Sequence, residues 1–214
     1  PVTITDDFGV MSRHDGDPVP HEHQFYRATL RGLFSLDLNA AGAFSYARKT
    51  GYRNLDDVRT AEARAAGLEH DEANKQYRLS RDERLSRISA LLDGLARLEG
   101  GAKQTIHYTD VAPPLVILAV TRGGNHAFGH VVGHDELRRP VLKTAALAEA
   151  LDVHRADILS PVYVGWVQGY LDNERARFDA WRQEAGASNV IVDHPRRAYE
   201  RLIADLRANP TWLD

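Results

Sequence analysis

The side chains best suited to hold a ligand stand beside two glycine pairs. In the first segment, "GGAKQTIH", Gly100 and Gly101 precede Lys103, Gln104 and His107. One glycine is enough to end a helix, because glycine adopts positive φ at little cost. The second leaves room for a ligand to approach the backbone, where lysine, amide and imidazole groups can meet phosphate, ribose hydroxyl or a base edge. The segment is therefore either a helix stop with polar decoration or a nucleic-acid contact.

The second glycine pair repeats the theme after the next apolar run. In "TRGGNH", Arg122, Asn125 and His126 surround the two glycines. A third candidate group, Arg48, Lys49 and Arg53, lies in a stretch with a local positive excess. Residues 26–64 carry seven basic and four acidic side chains: Arg27, Arg31, Arg48, Lys49, Arg53, Arg59 and Arg64 against Asp37, Asp56, Asp57 and Glu62. This third group could form a basic footprint for nucleic acid on a near-neutral protein.

A different chemistry is offered by "HDGDPVPHEH". Its imidazoles and carboxylates could bind a divalent metal: His14, Asp15, Asp17, His21, Glu22 and His23. Two prolines within the run predict a loop, and His21 and His23 are expected on opposite faces of an extended chain. We therefore interpret residues 10–24 as a solvated polar loop, with a metal site as the alternative.

Composition excludes several classes of protein. The chain has no cysteine, so disulfides, thiolate zinc sites and cysteine nucleophiles are ruled out. The longest apolar run, "PPLVILAV", is strand-length, and "PVTITDDFGV" does not resemble a signal peptide; we expect a cytoplasmic protein without membrane partners. No hydrolase, zinc-protease, dinucleotide or P-loop motif occurs, and "DDFG" lacks the other kinase motifs. No cofactor is implied, and the net charge of −3 argues mildly against nucleic acid.

Hydrophobic periodicity predicts strands followed by helices. Residues 25–46 alternate and predict one long or two paired strands, and residues 54–79 form a charged excursion with helical stretches. "SRDERLSRISALLDGLARLEG" predicts a helix with a Ser80–Glu83 capping box and Gly100 at the left-handed C-cap. "LVILAV" predicts a central strand, and "GHVVGHDE" a short one. Helices are predicted from Pro140 to Leu151, from Gly169 to Glu184 and from Pro195 onward.

These elements predict an α+β fold with helices packed on a sheet. We expect one domain over residues 1–214, with residues 47–79 as a charged insertion and residues 140–214 as a helical C-terminal extension. The tryptophans of that last part, Trp166, Trp181 and Trp212, are expected to be packing residues. The strand "LRGLFSLDL" is likewise expected in the core.

With both glycine segments in view, the chain resembles the DevR-type (Cst-like) backbone subunit of type I CRISPR Cascade effectors, nearest to subtype I-B. The matching phrases are "HEHQFYRATLRGLFSLDLNAAGAFSY", "TGYRNLDD", "LLDGLARLEGGAKQTIHYTDVAP" and "LVILAVTRGGNH", which extend over roughly residues 3–126. Members of that family begin with a further segment carrying the first strand and helix of their core, which this sequence lacks. The resemblance therefore implies a core that is incomplete or supplied by a separate piece.

The resemblance implies an RRM-like (ferredoxin-like) core of the repeat-associated RAMP superfamily, with insertions. It also implies a non-catalytic subunit that polymerises along one CRISPR guide RNA (crRNA) and presents it for pairing with target DNA. The implied partners are crRNA, target DNA through the guide, other copies of the chain, the large subunit and the subunit that binds the repeat handle. On this basis the RNA-binding candidates rank as Gly100, Gly101, Lys103 and Gln104 with His107 lower, then Arg122, Asn125 and His126, then Arg48, Lys49 and Arg53. The third group could equally contact a neighbouring subunit or form a thumb-like projection between nucleotides.

Two other classes stay open. Related type III RAMP proteins cut target RNA with an aspartate, so the alternative is a metal-dependent ribonuclease that uses the His/Asp loop at residues 14–23. A sequence-specific transcriptional regulator would need a helix-turn-helix or a dimeric basic reader, and the sequence carries neither signature.

Overall fold

A computed structural model of the chain describes residues 3–11, 16–47, 54–100 and 110–214. Within these residues the predicted mixed α+β architecture is confirmed, with five α-helices and several small sheets. The strands are β1 Thr3–Met11, β2 Val19–Arg27, β3 Ala43–Ser45, β4 Glu69–Asp71, β5 Gln76–Arg78, β6 Leu115–Leu118, β7 Val132–His134, β8 Pro140–Leu142, β9 Val162–Trp166 and β10 Val190–Asp193. The helices are α1 Asp57–Ala65, α2 Arg81–Ala96, α3 Thr144–Val153, α4 Asp172–Glu184 and α5 Pro195–Ala208, followed by a 3₁₀ turn at Pro210–Leu213.

The main sheet has the order β10–β9–β6, with β9 parallel to β10 and antiparallel to β6. All five residues of β9, "VYVGW", are buried, because helices cover both faces of the sheet. The run "LVIL" was predicted as a central strand, but among the described strands β6 lies at the edge of this sheet. Side chains of β6 pack on both covered faces of the sheet, so the strand is apolar throughout. In sequence, such an edge strand cannot be told from a central one.

Two hydrophobic cores lie on opposite faces of the main sheet. One contains Tyr163 of β9 with apolar residues of α2, α5 and the final 3₁₀ turn. The other contains Val162, Val164 and Trp166 of β9 with residues of α3, α4 and the β7–β8 hairpin. The hydroxyl of Tyr163 donates to Asp205 on α5, and burial followed by this hydrogen bond raises the pKa of Tyr163 above its usual range.

Gly165 of β9 sets how closely α5 approaches the sheet. A Cβ at this position would lie 2.6 Å from the Cα of Pro195 and 2.6 Å from a methyl carbon of Val116. Only glycine leaves room for the helix to pack directly on the strand. Gly165 therefore allows both the beginning of α5 and the side chain of Val116 on β6 to pack closely on β9.

The predicted helix at residues 80–100 is confirmed as α2, and so is its capping box. The Ser80 hydroxyl accepts from the Glu83 N–H, and the Glu83 carboxylate accepts from the Ser80 N–H. The predicted C-cap was wrong, since α2 ends at Ala96 with Arg97 as its cap. Gly100 has φ of +152° but lies three residues beyond that cap, so its glycine is not explained by ending the helix.

A buried arginine of α2 ties distant parts of the chain together. Arg84 is only 3 % exposed, and its guanidinium donates to the carbonyls of Leu38, Asn39 and Ala41 at 2.9 to 3.1 Å. It also donates to the carbonyl of Leu213 at the C-terminal end. Desolvation lowers the pKa of Arg84 below its usual value, yet four carbonyl acceptors keep the buried cation solvated by the protein.

The strand prediction for residues 25–46 was wrong for most of its length. Only residues 25–27 and β3 are strands, and residues 28–37 have no regular secondary structure. Alternation of apolar residues favours an extended chain, but a strand also needs a neighbour to share its backbone hydrogen bonds. Leu36 and Leu38 of this segment do pack against the α2–α5 core, as expected for part of "LRGLFSLDL", whereas Leu30 and Leu33 are exposed.

The prediction of a helical C-terminal extension was wrong, because this part of the chain also contains strands. Residues 140–214 contain strands β8, β9 and β10 as well as α3, α4 and α5. Pro140 begins β8 rather than a helix, and α3 begins only at Thr144. Short strands buried on both faces show no periodicity, so they escape pattern analysis.

The predicted helix at Pro195 is confirmed as α5, and the tryptophans are packing residues: Trp166 is buried, and Trp181 and Trp212 pack against the cores.

The predicted polar loop at residues 10–24 is instead largely part of a β-hairpin. Strands β1 and β2 pair antiparallel, with Ile4 opposite Tyr26 and Val10 opposite Pro20. Proline is tolerated there because each strand of a two-stranded hairpin has a free edge. Neither strand of this β1–β2 hairpin packs substantially against another described helix or strand.

The described part of the predicted charged insertion, residues 54–79, shares a small core with β3. Strands β4 and β5 join β3 in the order β3–β5–β4, and α1 covers them. Buried Tyr77 stacks on His70 at 4.7 Å between ring centroids, and Tyr46 bonds the same imidazole at 3.0 Å. No helix among the described residues is both long and apolar enough to cross a bilayer.

Candidate nucleic-acid interface

The second glycine segment is held in place by the connection between α3 and β9. The N–H of Val120 donates to the Ser160 hydroxyl at 2.8 Å, and the Val120 carbonyl accepts from Leu159 at 2.8 Å. The N–H of Arg122 then donates to the Asp157 carbonyl at 2.7 Å. The backbone is therefore fixed up to Arg122, and the glycines that follow begin a turn at a defined position.

The two glycines of this loop have different structural status. Gly123 has φ of +85°, a conformation that favours glycine because other residues pay a steric cost there. Gly124 does not have positive φ, and a Cβ added to it would meet no atom within 4 Å. The fold of the described chain therefore requires the first glycine but leaves the second unexplained, as expected if a ligand approaches the backbone at Gly124.

The polar side chains of this loop are available for a ligand. Arg122, Asn125 and His126 are exposed, and within the described residues their side chains make no hydrogen bond or ion pair. All three line one large groove of about 1520 Å³. An arginine, an amide and an imidazole on one exposed loop can donate several hydrogen bonds to phosphate or ribose oxygens.

Most of the first predicted set lies outside the described residues. This applies to Gly101, Lys103, Gln104 and His107, whereas Gly100 is described. Leu98 and Val111, which stand on either side of residues 100–110, both line the groove that the Arg122 loop also lines. The structure thus brings the flanks of the first glycine segment to the same groove as the second segment.

The third predicted set, Arg48, Lys49 and Arg53, also lies outside the described residues. The described neighbours on either side belong to the small sheet region, where the N–H of Leu55 donates to the Ser45 carbonyl at 3.1 Å. Neither Ala47 nor Asn54 lines the groove. The structure does not join this region to the other two candidate sets.

The alternative metal site is only partly described, because His14 and Asp15 lie outside the described residues. The predicted opposite orientation of His21 and His23 was wrong: residues two apart on a strand share a face, and their rings meet edge-on at 4.7 Å. Glu22 points to the other face of β2. Asp17, His21, Glu22 and His23 do not form a metal cluster, and the described part of the chain contains no group of three potential ligands.

Sequence reasoning did not place three further basic side chains in the groove: Arg31, His134 and Arg138. The guanidinium of Arg31 donates to the Val132 carbonyl at 2.8 Å, which joins the irregular segment 28–37 to strand β7. Arg138 stands in the β7–β8 turn with φ of +58°. Arg31 had been counted in the local positive excess, but only the fold places it in the groove. The adjacent basic residues Arg138 and Arg139 before Pro140 could have indicated a further basic site in the sequence.

The acidic side chains of the groove have partners within the described fold, whereas the side chain of Arg122 does not. Two carboxylates, Asp37 and Asp214, also line it. Asp37 accepts hydrogen bonds from the N–H groups of Asn39 and Ala40, and Asp214 is paired with Arg81 at 2.5 Å. Both carboxylates therefore already have partners within the fold. The guanidinium of Arg122 faces solvent without an acidic partner among the described residues, which favours an anionic ligand.

No family model matches the chain, and no curated protein or solved structure matches it significantly.

Proposed function

We propose that the chain is a non-catalytic RNA-binding subunit that grips the backbone of a CRISPR guide RNA, as the sequence resemblance to DevR-type Cascade subunits implies. The observation that carries the proposal is the Arg122–His126 loop. A Cβ at Gly124 would meet no described atom within 4 Å, and three exposed polar side chains have no described partner. The proposed RNA site joins this loop to the first glycine segment, Gly100 to His107.

The chemistry of the loop suits recognition without regard to sequence. A subunit that holds any guide must read phosphate and sugar, which carry no sequence information, and leave the bases free to pair with target DNA. Backbone N–H groups beside glycines, one arginine and short polar side chains meet that need. The loop is anchored through Arg122 and Asp157, so little conformational entropy is lost when RNA binds.

A small overall negative charge is compatible with this function. The net charge is −3, but the proposed partners include further copies of the chain on the same guide. Each copy then needs only a few phosphate contacts, because neighbouring copies raise the effective concentration of one another on the RNA. The large subunit and the subunit at the repeat handle would complete the proposed complex.

The alternative, a metal-dependent ribonuclease, has weaker support. Its described candidates are Asp17, His21 and His23, and they do not form a three-ligand group with Glu22. The paired imidazoles lie on β2, and Asp7 of β1 stands opposite His23, but no group of three potential ligands that could hold a metal is found among the described residues.

The proposal is tested by expressing the chain with the other subunits of a type I-B system and sequencing the nucleic acid that co-purifies. We expect a discrete population of guide RNAs of many spacer sequences, and binding that weakens steeply with salt. Incubation of the purified complex with RNA and Mg²⁺ or Mn²⁺ should leave the RNA intact. Absence of guide RNA from the purified complex would contradict the proposal, and divalent-dependent cleavage lost in Asp17→Ala would favour the ribonuclease.

A further inference from the structure

The large groove is bordered by two stretches of main chain that lack a strand neighbour among the described residues. One is the free edge of β6. The Pro114 carbonyl accepts from the Val167 N–H on the β9 side. In this antiparallel pair the N–H and C=O groups of Leu115 and Ile117 therefore point to the open edge. The other stretch is segment 29–36, whose backbone groups make no hydrogen bond to other backbone groups in the described chain.

The donors and acceptors along the β6 edge favour a polypeptide ligand over RNA. Each outward residue presents one N–H donor and one C=O acceptor, and a ligand must offer the complementary group to both. Phosphate oxygens are acceptors alone, so they leave the carbonyls of Leu115 and Ile117 without a donor. An extended polypeptide supplies donors and acceptors in alternation, as in strand addition to an exposed sheet edge.

The floor of the groove is apolar. Leu92 and Leu95 of α2, Leu206 of α5 and Trp212 contribute to it, and Leu33 of segment 29–36 is 55 % exposed at its border. Contiguous apolar surface of this kind favours an apolar ligand, because water is released when the surface is covered. Alternate side chains of an extended polypeptide point to one face, so they would cover the floor while the main chain pairs with β6.

The basic side chains around the floor favour an acidic ligand. Arg31 and Arg138 line the groove, and neither forms an ion pair with a described carboxylate. The hydrogen bond from Arg31 goes to the Val132 carbonyl, which is neutral and leaves the charge uncompensated. The two carboxylates of the groove, Asp37 and Asp214, already have partners within the fold. Opposite charges around an apolar contact favour one kind of partner and one orientation.

The described strands of this chain are unsuited as occupants of the groove. Each of them is paired with another strand in a sheet, so its backbone is already engaged on at least one edge. A segment between β6 and residues 29–36 bonds to both only when both of its own edges are free. The occupant is therefore a segment without a strand partner of its own.

We propose that the groove is a docking site for an extended acidic segment of a different protein. The segment adds a strand to the open edge of β6, covers the apolar floor and places its carboxylates against Arg31 and Arg138. Main-chain bonds along β6 supply affinity regardless of sequence, whereas the floor and the two arginines select a segment that combines apolar and acidic residues. The docking site requires no RNA and uses residues other than those of the proposed RNA-binding loop at Arg122.

Peptide binding, measured by fluorescence anisotropy, tests the docking site directly. The probe is a labelled peptide of about eight residues in which valine and glutamate alternate. One control replaces its glutamates with lysine. Two others are N-methylated at the valines or at the glutamates, which removes the main-chain donors of one edge and keeps the charge. We expect the lysine peptide and at least one N-methylated peptide to bind at least about tenfold more weakly than the probe.

Equal affinity of both N-methylated peptides would overturn strand addition, and equal affinity of the lysine peptide would overturn the charge match. Arg138→Glu should weaken binding of the probe at least about tenfold. Arg196→Glu, at an exposed arginine of α5 outside the groove, should leave it unchanged. In hydrogen exchange the probe should protect the amides of Leu115 and Ile117. Equal effects of the two variants, or unchanged exchange at both amides, would contradict the docking site.

RNA and a second copy of the chain are the other occupants that the same experiment distinguishes. If a short RNA displaces the probe, and Arg138→Glu weakens RNA binding as much as probe binding, the groove takes RNA and the proposal is overturned. If the chain self-associates in sedimentation velocity and Arg138→Glu abolishes this, a second copy fills the groove, which also overturns it. Binding of the probe by a chain that binds no RNA would leave the docking site standing while the proposed function fails.

Discussion

The backbone N–H of Arg122 donates to the carbonyl oxygen of Asp157 at 2.7 Å, which anchors the second glycine segment to the α3–β9 connection. The side chain of Arg122 is left exposed at the groove, with no described partner. A main chain fixed by the fold beside a side chain with no role in the fold is the arrangement expected of a preorganised binding loop.

Gly124→Ala separates binding from folding. Gly124 lacks positive φ, and a Cβ would meet nothing within 4 Å, so we expect the free energy of unfolding to change by no more than about 1 kcal/mol, in the stabilising direction. If RNA approaches the backbone at this residue, the added methyl group lowers RNA affinity. Gly94→Ala on the exposed side of α2 is the control, for which affinity stays unchanged. Denaturant unfolding and fluorescence anisotropy with labelled RNA measure the two quantities.

Arg84→Met tests the buried tie between α2, residues 38–41 and the C-terminal end. The substitution leaves the carbonyls of Leu38, Asn39, Ala41 and Leu213 without their donor, and we expect the free energy of unfolding to fall by about 2–4 kcal/mol. Arg87→Met, at an exposed position of the same helix, should change it by less than about 0.5 kcal/mol. Equal stability of the two variants in urea unfolding would show that the tie contributes nothing.

Gly165→Ala tests the packing of α5 on the main sheet. The new methyl carbon would stand 2.6 Å from both the Pro195 Cα and a Val116 methyl carbon, so helix and strand must separate. We expect a loss of about 1–3 kcal/mol in the free energy of unfolding. Gly32→Ala serves as control because a Cβ there meets nothing within 4 Å. A thermal midpoint for Gly165→Ala no lower than that of Gly32→Ala would contradict the close approach.

Asp17→Ala distinguishes the binding subunit from the ribonuclease. If the chain is the non-catalytic subunit proposed above, labelled RNA remains full-length with Mg²⁺ or Mn²⁺, for the natural chain and the variant alike. RNA affinity should also be unchanged, because Asp17 does not line the groove. Cleavage by the natural chain that chelator and Asp17→Ala both abolish would support the alternative function.

The sequence was sufficient where a signal is local. The capping box of α2 and the proline start of α5 depend on a few neighbouring residues, and both are confirmed. Strand β9 could not be predicted in the same way, because its five buried residues have no period and its role depends on partners more than twenty residues away on either side. The strand prediction for segment 28–37 was wrong for the converse reason. Its apolar residues do alternate, but no described strand pairs with it.

For the candidate site, sequence identified the loop but not its surroundings. Arg122, Asn125 and His126 were predicted from their glycine pair, whereas Arg31 and Arg138 enter the same groove only through the packing of distant elements. The expectation that His21 and His23 point to opposite faces of an extended chain was wrong, because residues two apart on a strand share a face, as these two do on β2. Whether Lys103 and Gln104 contact RNA stays a prediction, since they lie outside the described residues.

The central claim is best tested by the affinity of the Lys103→Ala/Arg122→Ala double variant for a panel of RNAs with unrelated sequences, measured over a range of salt concentrations. If both residues contact phosphate, affinity falls by a similar factor for every RNA, and the salt slope becomes shallower by about 1.4 for two contacts on a single strand. Arg177→Ala, an exposed arginine on α4, should leave affinity and slope unchanged. Unchanged affinity of the double variant, or a loss confined to some sequences, would contradict the account.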